Sequence, residues 1–167
     1  MRSSAKFVAF TGILAALAVV LSLLENLLPP VPGMPPGAKL GLSNIVSMYT
    51  AGCVGFLPAM AVALAKGLFA FLTRGVTAGL MSTAGGLCST LIVWLLLKKL
   101  RFGLLGASAA GALAHNAAQL LIACLLTSSA VLYYGPVLVL LGTASGILTG
   151  LALGVLLPPM ERLHTSF

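Results

Sequence analysis

Long apolar runs, separated by short polar or proline-rich segments, make up most of the chain. Their lengths and breaks predict six transmembrane helices, at about 7–28, 41–56, 58–72, 76–97, 104–127 and 136–157. Two of them, 41–56 and 58–72, are short for a bilayer core of roughly 30 Å, which favours local thinning or burial among the other helices. We therefore expect an all-α integral membrane protein, a six-helix bundle that forms a single membrane domain over residues 1–167.

Composition excludes a soluble protein. The chain is 60% hydrophobic and 7% charged, with a mean hydropathy of +1.16, whereas a soluble domain is about 25% charged. The chain contains nine Lys and Arg residues and two Asp and Glu residues. The basic residues are scattered between apolar runs and form no recognition motif. They predict membrane topology and the lipid bilayer as partner, with no role in binding nucleic acid.

The basic residues also predict the orientation of the chain. Arg2 and Lys6 precede the first span, the cluster 98–101 separates the fourth and fifth spans, and Arg162 follows the sixth. Six crossings place all of these residues, and both termini, on the cytoplasmic side. Five crossings would leave the cluster 98–101 outside, so six explain the charges better.

Four charged residues are not explained by topology. Lys66 lies in the middle of the third span, Arg74 and Glu25 lie at the outer ends of the third and first spans, and Lys39 lies in the outer loop. Lys39 and Arg74 are equally consistent with side chains that reach the lipid headgroups. A lysine at mid-membrane depth indicates a functional site, and the simplest structural alternative is an ion pair with Glu25.

The fifth span carries a second polar cluster, His115, Asn116 and Gln119. His115 and Gln119 are about 40° apart on one helix face, and in lipid such side chains must face the protein interior or a cavity. A lone histidine is usually a packing residue, but three polar side chains at the depth of Lys66 and Arg74, together with Asn44 of the second span, predict a shared cavity that opens outward. Its excess positive charge predicts a small anionic solute or one with a polar head.

Two stripes of small residues predict close helix contacts. Gly142, Gly146, Gly150 and Gly154 recur every fourth residue of the sixth span, which favours packing within the chain. The first span carries another such stripe on its cytoplasmic half. Packing or docking of a partner subunit explains this stripe equally well; its members are Ala5, Ala9, Gly12 and Ala16.

The sequence lacks the common motifs of catalytic sites. It has no G-x-x-x-x-G-K-[ST] phosphate loop, and its two acids, Glu25 and Glu161, cannot form an Asp-rich metal site. No cofactor, metal site or enzymatic activity is expected, and active transport would need energy from another subunit. A non-transporting membrane accessory remains the first alternative, and an autonomous carrier or channel the second.

Four segments resemble a known bacterial family: residues 25–30 (ENLLPP), 39–46 (KLGLSNIV), 84–87 (AGGL) and 111–120 (GALAHNAAQL). They look like the Gx transporter family, also labelled heptaprenyl diphosphate synthase component I, and the match covers roughly residues 7–157. Members commonly carry Arg where this chain has Lys66, a change that keeps the charge and loses the planar fork.

The resemblance implies an architecture similar to the S components of energy-coupling factor transporters, six-helix proteins of the bacterial cytoplasmic membrane. It implies a lid at residues 29–37, with Lys39 and Asn44 as ligands beside it. It also implies that the stripe on the first helix docks on a transmembrane coupling protein that is joined to ATPases. The resemblance leaves open a role as a non-catalytic accessory of heptaprenyl diphosphate synthesis. The substrate-binding residues expected from the charges, the amide cluster and the resemblance are Glu25, Lys39, Asn44, Lys66, Arg74, His115, Asn116 and Gln119.

Overall fold

The computed structural model describes residues 4–27 and 41–165, and this part of the chain is helical with no β-strand. Short helical turns occupy Thr50–Val54, Leu95–Lys99 and Ser129–Tyr134. The α-helices are α1 (Ser4–Leu27), α2 (Leu42–Tyr49), α3 (Phe56–Arg74), α4 (Val76–Trp94), α5 (Leu104–Leu126) and α6 (Gly135–Thr165).

Within the described residues, five helical segments are long and apolar enough to cross a membrane: Ala5–Leu27, Phe56–Arg74, Val76–Lys99, Leu104–Leu126 and Ser129–Leu156. Their large apolar side chains are mostly exposed; only 17% of the most apolar window of the first is buried. Such an exterior is stable only where lipid replaces water. The chain is therefore a multi-pass membrane protein, and the predicted span 41–56 is the one that does not reach crossing length.

The helices α3, α4, α5 and α6 pack side by side in chain order, and α1 packs on α2 and α3. The short α2 contacts α1, α3, α4 and α6 and is buried among them. The core where they meet is built largely from small side chains, which include Ala51, Ala59 and Ala107, each fully buried. In lipid the hydrophobic effect does not drive helices together, and small residues stabilise helix contacts by letting the backbones approach closely.

The glycine stripe of α6 packs within the chain over most of its length. A Cβ added at Gly146 would lie 2.7 Å from the Ala109 backbone of α5, and one added at Gly150 would lie 3.2 Å from the Leu105 backbone. At Gly154 a Cβ would meet nothing within 4 Å. The stripe therefore sets the approach of α5 and α6 up to Gly150, as expected from sequence.

Most helix bounds differ from the predicted spans by a few residues, and α2 and α6 differ by more. The third helix begins at Phe56, before Pro58, because a proline in the first turn loses no helical hydrogen bond. The sixth helix continues past the apolar run to Thr165. A single residue, Gly75, connects α3 to α4 with φ of 87°, a backbone conformation that favours glycine.

Candidate functional site

A cavity of about 270 Å³ lies at one end of the bundle and is lined by residues from all six helices. The last turns of α1 and α3 contribute Glu25 and Arg74, and the start of α2 contributes Ser43 and Asn44. The connection from α3 to α4 closes this end. Residues 28–40, which lie outside the described part of the chain, join Leu27 to Gly41, and Gly41 also lines the cavity.

The structure brings together seven of the eight residues that the sequence singled out. The eighth, Lys39, lies outside the described residues. The seven that line the cavity are Glu25, Asn44, Lys66, Arg74, His115, Asn116 and Gln119. Their convergence is a geometric fact, and their role in binding a solute stays a prediction.

Glu25 connects α1 to the beginning of α2. Its carboxylate accepts a hydrogen bond from the Leu42 backbone N–H at 2.6 Å and one from Ser43 Oγ at 3.2 Å. The first residues of a helix have backbone N–H groups without intrahelical partners, and Gly41, which precedes α2, has no side chain to cap them. Glu25 supplies the missing acceptor, and its negative charge suits a helix N-terminus.

Lys66 is buried, with 5% of its surface exposed, and its ammonium group reaches across to α2. Nζ donates a hydrogen bond to Asn44 Oδ1 at 3.0 Å. This contact orients the ammonium group of Lys66 in the cavity wall. Arg74 lies about two turns further along α3, at the more exposed end of the cavity. There its guanidinium group is attracted electrostatically by the carboxylate of Glu25.

The Gly-Gly pair of α4 places this helix against both its neighbours. A Cβ at Gly85 would lie 2.9 Å from His115 Cε1 and 3.0 Å from Gln119 Cγ of α5. A Cβ at Gly86 would lie 3.3 Å from Ala63 Cβ of α3. The first glycine thus makes room for two polar side chains of the cavity.

Asn116 contributes both to the cavity wall and to helix packing. Its Nδ2 donates a hydrogen bond to the Leu138 carbonyl of α6 at 2.9 Å. A Cβ at Gly142 would lie 2.5 Å from the same nitrogen, so glycine is required beside it. Substituting Asn116 would therefore weaken the α5–α6 contact as well as alter the cavity.

The described wall of the cavity has a net positive charge. Lys66 and Arg74 each carry one positive charge, and Glu25 carries one negative charge. The formal charges of these three side chains therefore sum to +1. Such a site attracts an anion, and more strongly where water is displaced.

Several hydroxyl groups in the cavity wall were not identified from the sequence, among them Ser22, Thr77, Ser82 and Ser145. Serine and threonine are common inside transmembrane helices because their hydroxyls bond back to the carbonyl four residues earlier. Thr73 and Thr143 do this at 2.8 Å, to Phe69 and Val139. Ser22 precedes Glu25 by about one helical turn, and that spacing was the one available signal.

A smaller pocket of about 20 Å³ adjoins Asn44 and is lined also by Ser47, Thr90 and Ser108. Its volume matches about one water molecule. It cannot hold an organic solute, so the larger cavity is the candidate binding site.

The stripe of small residues on α1 is exposed along its length. Ala5, Ala9, Gly12 and Ala16 all lie on the bundle surface, and a Cβ at Gly12 would meet nothing within 4 Å. The stripe does not pack within the described part of the chain. It is open to lipid or to another protein.

Comparisons with known proteins agree with this architecture. A family profile described as heptaprenyl diphosphate synthase component I matches residues 14–156. A solved structure described as "Structure and mechanism of the S component of a bacterial ECF transporter" is similar, with 20% identity and a TM-score of 0.61, over 99% of this chain and 98% of that chain. At this identity the likeness shows a shared fold. A comparison with curated proteins finds no match.

Proposed function

The chain belongs to the heptaprenyl diphosphate synthase component I family, and we propose that it is the membrane substrate-binding subunit of a transporter of the S-component type. It captures a small anionic or amphiphilic solute from the outer side of the membrane. The observation that carries the proposal is the polar cavity of about 270 Å³, with a net positive wall, at one end of a bundle whose exterior is apolar. Burying charged groups in a membrane protein is costly and marks functional sites.

The proposal places the cavity at the outer face of a bacterial cytoplasmic membrane. Lys6, at the start of α1, and the cluster 98–101, between α4 and α5, lie at the helix ends away from the cavity. Because cytoplasmic loops are rich in Lys and Arg, that opposite end is cytoplasmic. Both termini are then cytoplasmic, provided that the chain crosses six times.

The second crossing is made by α2 and the turn that follows it. The segment Leu42–Val54 starts at the cavity and leads to Phe56, whose ring lies 5.0 Å from that of Trp94 at the far end of α4. At 1.5 Å per residue these helical turns cover roughly 20 Å of a core of roughly 30 Å. The lid that the family resemblance implies, residues 29–37, lies outside the described part of the chain.

Transport energy comes from partner proteins. The exposed stripe on α1 is the docking surface for a transmembrane coupling protein joined to ATPase subunits, because small residues permit close helix contact. Replacing Ala9 with tryptophan would block this contact and abolish co-purification with the coupling protein. Solute binding would persist, because Ala9 lies outside the cavity wall.

The proposed subunit is not an enzyme. The sequence contains no aspartate, and among the described residues no group of His, Cys, Asp and Glu could hold a metal ion. The family description names a synthase component, which leaves a membrane accessory of heptaprenyl diphosphate synthesis as the alternative. Stable co-purification with a soluble prenyl synthase, and no solute bound to the cavity, would favour that alternative.

Ligand binding tests the main proposal. Native mass spectrometry of the purified protein, after incubation with the dialysable small molecules of a bacterial extract, is expected to show one bound solute. The same solute should raise the melting temperature, since a ligand at 100 Kd adds about 2.7 kcal/mol to stability when it binds only the folded state.

Two variants control for charge and position. Lys66→Met is expected to abolish binding of that solute, whereas Lys98→Met, which removes the same charge at the opposite end of the bundle, is expected to leave it unchanged. Equal affinity of all three proteins would refute the cavity as the binding site.

A further inference from the structure

A second, much smaller pocket lies where α2 packs against α4, α5 and α6, and we call it the junction pocket. Its volume is about 20 Å³. On its α2 side lie Asn44, Ser47 and Met48, which share one helix face because they are three or four residues apart. Asn44 and Ala112 line both the junction pocket and the large cavity. The junction pocket is therefore a neighbour of the candidate binding site and touches one of its polar residues.

Thr90 of α4 lines the junction pocket and is buried without a hydrogen bond. Only 2% of its surface is exposed, and its Oγ1 has no hydrogen-bond partner among the described residues. A threonine in a helix commonly bonds to the carbonyl four residues earlier, as Thr83 of the same helix does to Gly79 at 2.8 Å. A buried hydroxyl without a partner costs free energy, and nearly all buried polar groups bond either to the protein or to ordered water. We therefore expect Thr90 to find its partner in the pocket that it lines.

The size and lining of the junction pocket limit what this partner can be. A water molecule needs a cavity of at least about 10–15 Å³ and two to four polar partners, and an organic solute needs far more room. Besides the Asn44 amide, five lining residues carry a hydroxyl group: Ser47, Ser89, Thr90, Ser108 and Thr149. These groups can donate and accept hydrogen bonds, which suits a water molecule.

The charges near the junction pocket argue against a cation. None of its described lining residues is an acid, and cations of this size class bind mainly through carboxylates and carbonyl groups. The ammonium group of Lys66 lies 3.0 Å from Asn44 Oδ1, so a positive ion beside Asn44 would be repelled. A neutral water molecule carries no such cost.

We infer that the junction pocket binds one ordered water molecule that hydrogen-bonds to Thr90 and links α4 to Asn44 of α2. Asn44 accepts the hydrogen bond of Lys66, so this water fixes the side chain that orients the ammonium group in the large cavity. Thr90 is then a positioning residue, although it is not among the described residues that line the large cavity. The inference stands independently of the proposed function, because it concerns the ligand-free protein.

Thermal unfolding of the ligand-free protein in detergent gives the first test, because its sign depends on whether the pocket holds water. Thr90→Val keeps the shape of the side chain and removes the hydroxyl. If the hydroxyl bonds to water, the variant loses that bond and its melting temperature falls. If the pocket is dry, the variant removes an unsatisfied polar group and its melting temperature stays or rises, which would overturn the inference. Thr143→Val, whose hydroxyl bonds to the Val139 carbonyl outside the pocket, is the control and is expected to change the melting temperature less.

The second test follows the ammonium group of Lys66 by ¹⁵N NMR of its Nζ, with the signal assigned by its loss in Lys66→Met. Thr90→Val is expected to shift or broaden this signal in the folded protein, and Thr90→Ser, which keeps the hydroxyl, to leave it close to that of the parent. An unchanged signal in Thr90→Val would overturn the positioning role. An equal change in both variants would overturn it as well, because packing and not the hydroxyl would then be the cause.

A high-resolution crystal structure of the parent protein tests the water directly and needs no variant to fold. One density peak about 2.7–3.0 Å from Thr90 Oγ1, bonded also to Asn44 or to a hydroxyl of α2, is the expected result. An ordered pocket without a peak would overturn the inference. A peak with several oxygen atoms at about 2.3–2.6 Å, the distances of a bound calcium ion, would also overturn it.

Discussion

At the scale of single residues, the free-energy cost of placing a side chain in lipid determines which site residues can be predicted from the sequence. Lys66, Arg74 and the His115–Gln119 cluster could be identified because charged and amide groups are expensive in a membrane unless they face a cavity or a partner. These residues line one cavity, as their similar predicted depth in the membrane indicated. The hydroxyls of Ser82 and Ser145 could not be identified, because a helix satisfies such groups locally wherever they face. The hydrogen bond between Lys66 and Asn44 required the three-dimensional contact of α2 with α3.

The Lys66–Asn44 pair gives a prediction in which the two partners behave differently. Asn44→Ala removes the acceptor 3.0 Å from a buried ammonium and is expected to lower the free energy of unfolding by about 1–3 kcal/mol. Lys66→Met removes the buried charge itself and is expected to be neutral or stabilising in the absence of solute. Chemical unfolding of the ligand-free protein in detergent measures both.

The double variant provides the control for this pair. Asn44→Ala is expected to cost less in the Lys66→Met background than alone, because the ammonium that needs the acceptor is gone. Equal costs in the two backgrounds would show that the contact does not contribute to stability.

At the scale of helices, hydropathy predicted five of the spanning segments within a few residues at most ends. The second segment failed to reach crossing length because α2 is polar and buried among four helices, a setting that does not require an apolar run of bilayer length. The extension of α6 beyond its apolar run was missed for a related reason. Periodicity reports which residues meet lipid, and a helix can continue where lipid ends.

The glycine stripe of α6 provides a matched pair of substitutions. Gly146→Ala places a methyl group 2.7 Å from the Ala109 backbone and is expected to lower stability by about 1–3 kcal/mol, because α5 and α6 must separate. Gly154→Ala, two turns further along the same stripe, meets open space. It is expected to leave stability unchanged or to raise it by up to about 1 kcal/mol.

Thermal unfolding of the two variants beside the parent protein measures the difference. A similar decrease in both melting temperatures would mean that the stripe acts through helix propensity alone, not through the contact with α5.

At the scale of the whole molecule, the family was predicted from four short segments and is confirmed by the profile that matches residues 14–156. The fold expected from that family is supported by the similar S-component structure. The arrangement of helices that builds the cavity could not be derived from hydropathy, because the order in which helices pack depends on small-residue contacts such as that of Gly85 with His115.

Topology can be tested on the intact chain. Six crossings place both termini in the cytoplasm, so fusions of a cytoplasm-active fluorescent reporter to either end are expected to fluoresce, and fusions of a periplasm-active phosphatase to stay inactive. A phosphatase inserted after Gly75 should be active, because the proposed orientation places that connection on the outer side. An active phosphatase at one terminus alone would indicate an odd number of crossings.

The connection at Gly75 has a consequence for how the protein opens. One residue joins α3 to α4, so these two helices cannot part at the cavity end, and α4 is in turn held against α5 by its glycines. The connection between α1 and α2 is different. Residues 28–40 join the two helices in sequence, and Glu25 of α1 accepts hydrogen bonds from the start of α2. We expect α3, α4 and α5 to form a rigid unit and α1 and α2 to move relative to it. Solute would then enter on the side of α1 and α2. Amide exchange in α2 should slow on binding, while that of α3 stays constant.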